Sequence, residues 1–227
     1  MLPATPTKNA IVIGVAAAFG QEIILRLAED GYNVSAVDKD TSSLTSSGKC
    51  INLINIERTD QPKLAALFAA LKQIDLLVIN VPLTLADTRF VDITDDQFAA
   101  AMHYFFFDVV AANQIAYPYL VNGARIVHVS SKGFLGAWGG AHTIAASAAL
   151  VAYTRSLSLE LTERDITVNT VAPDFVGSKW DQTNARTKVA NAVAFFAAPN
   201  NGVSGETLLV DDGRSLRMTE SRRRTPY

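Results

Sequence analysis

The sequence predicts an α/β protein in which helices cover both faces of a doubly wound, parallel sheet of about seven strands. Two observations lead to this prediction. Short β-branched apolar runs alternate with longer helical patterns, and a glycine turn joins the first run to the first helix. Because parallel strands need a covering crossover, such alternation is typical of right-handed β-α-β units. We expect a single domain over residues 1–227, with an N-terminal arm at 1–8 and a basic tail at 217–227.

Each element follows from local pattern. Ala10–Ile13 predicts a buried strand because it is β-branched and ends at a glycine. Gln21–Asp30 predicts a helix, with one apolar face and Gly31 as its C-terminal stop. Six later apolar runs predict the remaining strands: Asn33–Asp38, Cys50–Ile54, Leu76–Ile79, Arg125–Val129, Thr167–Ala172 and Thr207–Val210. Helical patterns lie between them near 61–72, 94–120, 141–162 and 184–197.

Composition excludes several classes of protein. The 227 residues are 49% hydrophobic and 19% charged, which is too apolar for a disordered chain. A formal charge of −2 gives no electrostatic attraction to nucleic acid or anionic lipid. The single cysteine, Cys50, excludes an internal disulfide and fits a reducing compartment. With no signal-like start and no apolar run near the ~18 residues that span a bilayer, we expect a soluble, cytoplasmic protein without nucleic-acid or membrane partners.

Charge is unevenly distributed along the chain. Residues 214–227 have a net charge of +4, so residues 1–213 have −6. The run Arg222–Arg224 is interpreted either as a solvated tail or as a segment that docks on an acidic partner or ligand.

A phosphate-binding turn is the first candidate site. The segment Gly14…Ala18-Phe19-Gly20 lies between the first strand and the first helix, where backbone N–H groups and the positive helix end can face a pyrophosphate. Asp38 ends the second strand, 18 residues after Gly20. A carboxylate there can accept hydrogen bonds from a ribose diol and disfavours a 2′-phosphate. A structural turn with Asp38 as a local cap is the alternative.

In their order and spacing, these motifs resemble the classical short-chain dehydrogenase/reductase family over about residues 8–216. The glycine turn looks like TGxxxGxG, Asp75–Asn80 falls on the family's D-x-L-V-N-N-A-G strand, and Gly123–Ser131 matches the strand ending in the catalytic serine. Ile166–Pro173 resembles I-x-V-N-x-x-x-P-G, and Gly205–Gly213 resembles G-x-x-x-x-V-D-G-G. The resemblance implies a Rossmann-like fold and an NAD(P)-dependent oxidoreductase acting on an alcohol or carbonyl.

The family's catalytic residues are largely missing. Its tyrosine general acid/base falls on Thr143, its lysine four residues later on Ser147, and its helix asparagine on Phe105. Only the serine remains, as Ser131 or its neighbour Ser130. No tyrosine in the chain is followed four residues later by lysine or arginine, so a register error is excluded. His142 is interpreted either as part of a substitute acid/base with Ser131 or as a surface or interface residue. His103 and His128 are predicted to be structural.

The cofactor positions are also eroded. Val81-Pro82-Leu83 stands where the family has the N-A-G that lines the nicotinamide cleft, and Asn55 replaces an adenine-contacting aspartate. Gly14, Ala18, Phe19, Gly20, Asp38 and Asn80 remain as candidate NAD contacts, so NAD binding is expected to be weakened or lost, and no metal is expected. Only ten residues (179–188) separate Ser178 from the segment that begins at Val189, which predicts a shortened substrate lid.

The surfaces used for assembly remain apolar. Helix 94–120 contains the run Tyr104–Phe107, and helix 141–162 is rich in alanine. In the family these two helices and the C-terminal region form subunit interfaces. The leading hypothesis is therefore a catalytically degenerate, structural or regulatory subunit paired with an active paralogue in a dimer or tetramer. The alternatives are an enzyme with an atypical site around Ser131 and His142, and a dinucleotide-sensing binding protein.

Overall fold

The computed structural model describes residues 8–46, 50–83, 87–175, 182–199 and 201–216, with only the backbone described at 182 and 183. It contains one sheet of seven parallel strands in the order β3-β2-β1-β4-β5-β6-β7. The strands are β1 Asn9–Ile13, β2 Asn33–Asp38, β3 Ile51–Asn55, β4 Ile74–Asn80, β5 Leu120–Val129, β6 Thr167–Pro173 and β7 Thr207–Val210. The predicted doubly wound α/β fold is confirmed.

Within the residues that the structure describes, six α-helices cover the sheet on its two faces. They are α1 Gly20–Glu29, α2 Gln61–Leu71, α3 Asp95–Met102, α4 Asp108–Ala116, α5 Ala141–Glu160 and α6 Gln182–Ala197. Helices α1 and α6 pack together over one face, while α2, α4 and α5 cover the other. Two helix starts follow from sequence: the Asp60 side chain caps α2, and Thr94 with Gln97 forms a capping box on α3.

Alternate residues of the inner strands enter opposite layers, which is why these strands are largely apolar. In β1, Val12 packs under α1 and α6, whereas Ile11 and Ile13 pack under the second set of helices. The buried side chains of both layers hold the carboxyl ends of the strands at one edge of the sheet.

Two elements differ from the predicted bounds by more than two residues. Strand β5 begins at Leu120, five residues before the prediction, because a register shift and a positive φ at Gly123 let the extra segment continue the strand. The predicted helix 94–120 is two helices separated by a π turn at His103–Phe107, and a 3₁₀ turn at Tyr117–Tyr119 ends the second. A π turn within a helix often marks a functional site, and this one faces the cleft described below.

The arm at 1–8 (apart from Lys8), the tail at 217–227 and residues 179–181 of the shortened lid lie outside the described residues. None of the described helices is long and apolar enough to span a lipid bilayer.

Candidate functional site

The candidate site lies where the strand order reverses, between β1 and β4. In an open parallel sheet this reversal creates a crevice at the carboxyl ends of the strands, where ligands bind. Gly14 follows β1 and Asn80 ends β4, so both border the crevice.

The glycine turn has a backbone that other residues cannot easily adopt. Gly14 has φ +86°, and a Cβ built on it would lie 2.2 Å from the carbonyl oxygen of Asn80. A Cβ on Gly20 would lie 2.1 Å from the carbonyl oxygen of Val15. Phe19, next to the start of α1, has φ +76° and is itself almost fully buried. Both glycines are therefore required for the close backbone packing of the turn.

Asn80 holds this turn in place. Its amide nitrogen donates to the carbonyl oxygens of Gly14 at 2.8 Å and Ala18 at 3.0 Å, and the residue is 1% exposed. The predicted cofactor contact at Asn80 is thus, in this structure, a residue that positions the turn rather than one open to a ligand.

Asp38 joins the turn to the end of β2. One carboxylate oxygen accepts the N–H of Ala16 at 2.9 Å, and the other accepts the N–H of Lys39 at 2.8 Å. The local capping role is observed, and each oxygen retains a second lone pair for a ribose hydroxyl. Asp38, Gly14 and Ala17 line a cavity of about 140 Å³ beside the turn.

The opposite wall of this cavity contains residues that the sequence analysis missed. The Arg58 guanidinium lies 4.4 Å from the centroid of the Tyr104 ring and donates to the Tyr104 carbonyl in the π turn at 2.8 Å. It also lies 3.6 Å from an Asp108 carboxylate oxygen. These contacts join the segment after β3 to the break between α3 and α4, a long-range pairing that motif spacing does not reveal. Asn55, the residue expected near adenine, instead accepts hydrogen bonds from the N–H and hydroxyl of Thr41.

The catalytic positions of the family contain buried hydroxyls that bond within the chain. Ser131 accepts the N–H of Gly133 at 3.1 Å, and Thr143 donates to the carbonyl of Gly140 at 2.8 Å. The Ser147 hydroxyl lies 2.9 Å from that of Ser130. Phe105, in the asparagine position, packs against the apolar core. These groups are fixed by the fold, and among the described residues no lysine or tyrosine replaces the missing pair at these positions.

The three histidines fall in different environments. His103 is exposed. His142 is only 8% exposed, so the expectation of a surface residue is wrong for this chain, and the structure describes no hydrogen bond between it and Ser131.

His128 is structural, as predicted, and belongs to a buried polar chain. The Asn113 amide donates to Nε2 at 3.0 Å and to the Val109 carbonyl at 2.9 Å, so Nε2 is the acceptor and Nδ1–H is left to donate to Thr154 Oγ1 at 2.8 Å. The Thr170 hydroxyl donates to the same oxygen at 2.9 Å. Complete burial lowers the pKa of His128 to about 3, since no water solvates the charged ring.

Beyond β4 the crevice is occupied by an ion pair. The Lys132 ammonium, after β5, lies 2.8 Å from a carboxylate oxygen of Asp174, after β6. Their side chains are 12% and 4% exposed. Arg214 lies 3.5 Å from the other oxygen of Asp174. Burial raises the pKa of nearby Asp211, but hydrogen bonds from the Ser215 and Gly213 N–H groups, with the charge of Lys132, outweigh it and keep that pKa below its usual value.

The sequence profile of the short chain dehydrogenase family matches residues 8–189, most of the chain. The chain belongs to the short-chain dehydrogenase family.

Curated relatives of this short-chain dehydrogenase include the 3-oxoacyl-(acyl-carrier-protein) reductase FabG of Rickettsia conorii. It is 28% identical over 234 residues, which cover 91% of this chain and 96% of that protein. The FabG of Staphylococcus epidermidis is 28% identical over 242 residues, covering 91% and 98%. Each match extends over nearly the whole length of this chain and of the relative. The assignment to this family of oxidoreductases therefore applies to nearly the whole chain.

Solved structures agree with the fold. A short-chain dehydrogenase/reductase family oxidoreductase of Burkholderia thailandensis has a TM-score of 0.84 at 22% identity, covering 96% of this chain and 98% of that chain. A short-chain dehydrogenase/reductase of Serratia marcescens has a TM-score of 0.78 at 26% identity, covering 92% and 97%. ElxO with NADP bound has a TM-score of 0.81 at 17% identity, covering 92% and 99%.

A nicotinamide dinucleotide is the cofactor that this family implies, and the residues of this chain fit only part of it. The turn at Gly14, with Asp38, suits an adenosine diphosphate group. Past β4, Asp174 stands where the family's P-G motif has glycine, and the space contains protein side chains. Within the described ranges, no group of three or more His, Cys, Asp or Glu side chains could hold a metal ion.

Proposed function

We propose that this short-chain dehydrogenase is a non-catalytic, structural or regulatory subunit that pairs with an active member of the same family. The observation that supports this most directly is the chemistry at the catalytic positions. The chain has Thr143, Ser147 and Phe105 there, and the two hydroxyls are already engaged with Gly140 and Ser130. These contacts support the proposal that the site is degenerate.

The chain offers no replacement acid/base at these positions. A threonine hydroxyl is aliphatic and shorter than a phenol, so it neither forms a phenolate nor reaches as far. General acid–base catalysis contributes about 10²–10⁴ in rate, which is the factor expected to be missing. Lys132 follows Ser131 directly, but its ammonium is paired with Asp174 and is not placed beside Thr143 by any described contact.

A groove between α4 and α5 supports the pairing role. It has a volume of about 460 Å³ and is lined by both helices, including Gln114, Tyr117, Tyr153 and Leu157. Tyr117 is 45% exposed. An apolar groove of this size between two helices, with a polar rim, is suited to receive side chains of a second subunit.

The catalytic part of the proposal predicts very low hydride transfer by the chain alone. With NADH or NADPH and a 3-oxoacyl thioester, the substrate class named for the FabG relatives, we expect turnover at least 10³-fold below that of an intact family member assayed in parallel. Absorbance at 340 nm measures the rate. Turnover within tenfold of the intact enzyme would contradict the proposal and favour an enzyme with an atypical site.

The pairing part predicts a stoichiometric partner with an intact Tyr-x-x-x-Lys. Native co-purification from the source cells should recover it, and Gln114→Arg should reduce its recovery at least tenfold by placing a charge in the groove. Gln73→Arg makes the same substitution at an exposed position outside the groove and should leave recovery unchanged. Recovery of only this chain, or equal recovery with both variants, would contradict the proposal.

A dinucleotide-sensing binding protein is the second candidate, favoured by the intact turn. The hydrogen bonds of Asn80 to Gly14 and Ala18 preserve the geometry that faces a diphosphate. A calorimetric titration in which no adenine nucleotide binds to the chain would exclude this candidate.

A further inference from the structure

The two mononucleotide halves of the crevice differ in this chain. In a doubly wound sheet one half lies over the strands on the β1 side of the reversal, and the other lies over the strands on the β4 side. The residues at each set of strand ends decide what can enter.

The first half is open and polar. The turn at Gly14, the Asp38 carboxylate and Lys39 line the cavity of about 140 Å³, with Arg58 on the far wall. The side chain of Arg58 is only 10% exposed. Backbone N–H groups of the turn suit an anionic diphosphate, while the lone pairs of Asp38 suit ribose hydroxyls. The Arg58 charge is paired with Asp108, which lines the same cavity together with Glu57.

Apolar side chains occupy part of the second half. They come from the segments after β4 and β6 and from α5, and they converge on Gly133. A Cβ on Gly133 would lie 2.8 Å from Ile144, 3.1 Å from Leu83 and 3.2 Å from Phe175. Leu83 is 1% exposed, whereas Ile144 and Phe175 are partly exposed. These side chains take up part of the space that a nicotinamide ring needs in this half.

The Lys132–Asp174 pair closes the rest of this half. The carboxylate of Asp174 accepts the Phe175 N–H at 2.7 Å and the Lys132 ammonium at 2.8 Å. The ammonium lies 5.8 Å from the centroid of the Phe175 ring. Opening this region would leave a buried charge without its partner, which is costly, so the closure is stable.

We propose that the chain binds a nucleotide that ends at the diphosphate, of the ADP class, and that its own residues exclude the nicotinamide half. NAD(H) then binds through its ADP portion alone, and the nicotinamide nucleotide adds no affinity. This inference concerns ligand binding, and it stands or falls separately from the proposed subunit role, which concerns hydride transfer and pairing.

Calorimetric titration of the full chain with ADP, NADH and nicotinamide mononucleotide tests the inference. We expect ADP to bind, NADH to bind no more than threefold tighter than ADP, and nicotinamide mononucleotide not to bind. An open two-half site would favour NADH over ADP by tenfold or more, because both halves contribute contacts. That result, or failure of ADP to bind, would overturn the proposal.

The Asp174→Gly variant tests the closure itself. Restoring glycine should increase the affinity for NADH relative to ADP at least fivefold, because it removes the carboxylate and releases Lys132. Asp174→Glu keeps the charge and should leave the ratio near that of the original chain. If Asp174→Gly fails to fold, the double variant Lys132→Ala/Asp174→Gly removes both charges and is expected to give the same gain. An unchanged ratio in a folded opened variant would overturn the closure.

Discussion

Replacing Gly14 by alanine should lower the free energy of unfolding by about 3 kcal/mol or more, an exceptional effect for one methyl group. Two costs combine at this position. The positive φ of +86° costs an L-residue about 1–2 kcal/mol. The new Cβ would also lie 2.2 Å from the Asn80 carbonyl oxygen, so β4 and the turn must separate. Urea unfolding followed by circular dichroism measures the loss.

Gly31→Ala is the matched control for this prediction. Gly31 has φ +90°, but a Cβ there meets nothing within 4 Å. Only the backbone cost of about 1–2 kcal/mol applies, so this variant should lose clearly less stability than Gly14→Ala. Equal losses in the two variants would mean that the contact between Gly14 and Asn80 is not tight in solution.

Acidification should destabilise the protein through His128. Its folded pKa is about 3, well below the ordinary 6.5. Between these pH values the unfolded chain binds a proton at His128 that the native chain does not bind. The contribution of neutral His128 to the free energy of unfolding is therefore at its full value above pH 6.5 and falls as the pH decreases. The slope is about 1.4 kcal/mol per pH unit, so His128 accounts for a loss of about 2 kcal/mol between pH 7 and pH 5.

Urea unfolding of the original chain and of His128→Gln at pH 7 and pH 5 measures this contribution. Glutamine does not titrate, so the variant should lose about 2 kcal/mol less than the original chain over the same interval. Carboxylates also titrate in this range, but they affect both proteins and cancel in the difference. Equal losses of unfolding free energy in the two proteins would show that His128 is protonated in the folded state.

The fold was predictable from sequence to within a few residues because its signals are local. Asn33–Asp38 and Thr207–Val210 have the predicted bounds, since each is an apolar run between turn residues. The π turn at His103–Phe107 was not predictable. Its helical pattern continues through this segment without a proline or glycine, and the break lies where Tyr104 packs against Arg58 in the folded chain.

The candidate site was predictable only in part. The glycine turn and the replaced catalytic positions follow from spacing along the chain, because each motif is contiguous. The pair between Lys132 and Asp174 does not, since the two residues lie on different loops and are joined only by the side-by-side register of β5 and β6. His142 illustrates the same limit, since burial depends on neighbours that are distant in sequence.

The sequence by itself determined the order of strands and helices, the family, and the absence of Tyr-x-x-x-Lys, since all three depend on residue type and spacing. Only the tertiary structure decided which side chains fill the crevice. Leu83 follows β4 and Phe175 follows β6, and the carboxyl ends of these parallel strands lie at one edge of the sheet. The two side chains and Ile144 of α5 therefore come together at Gly133. Whether that edge binds a whole dinucleotide or only its ADP half depends on volumes and ion pairs that form after the chain folds.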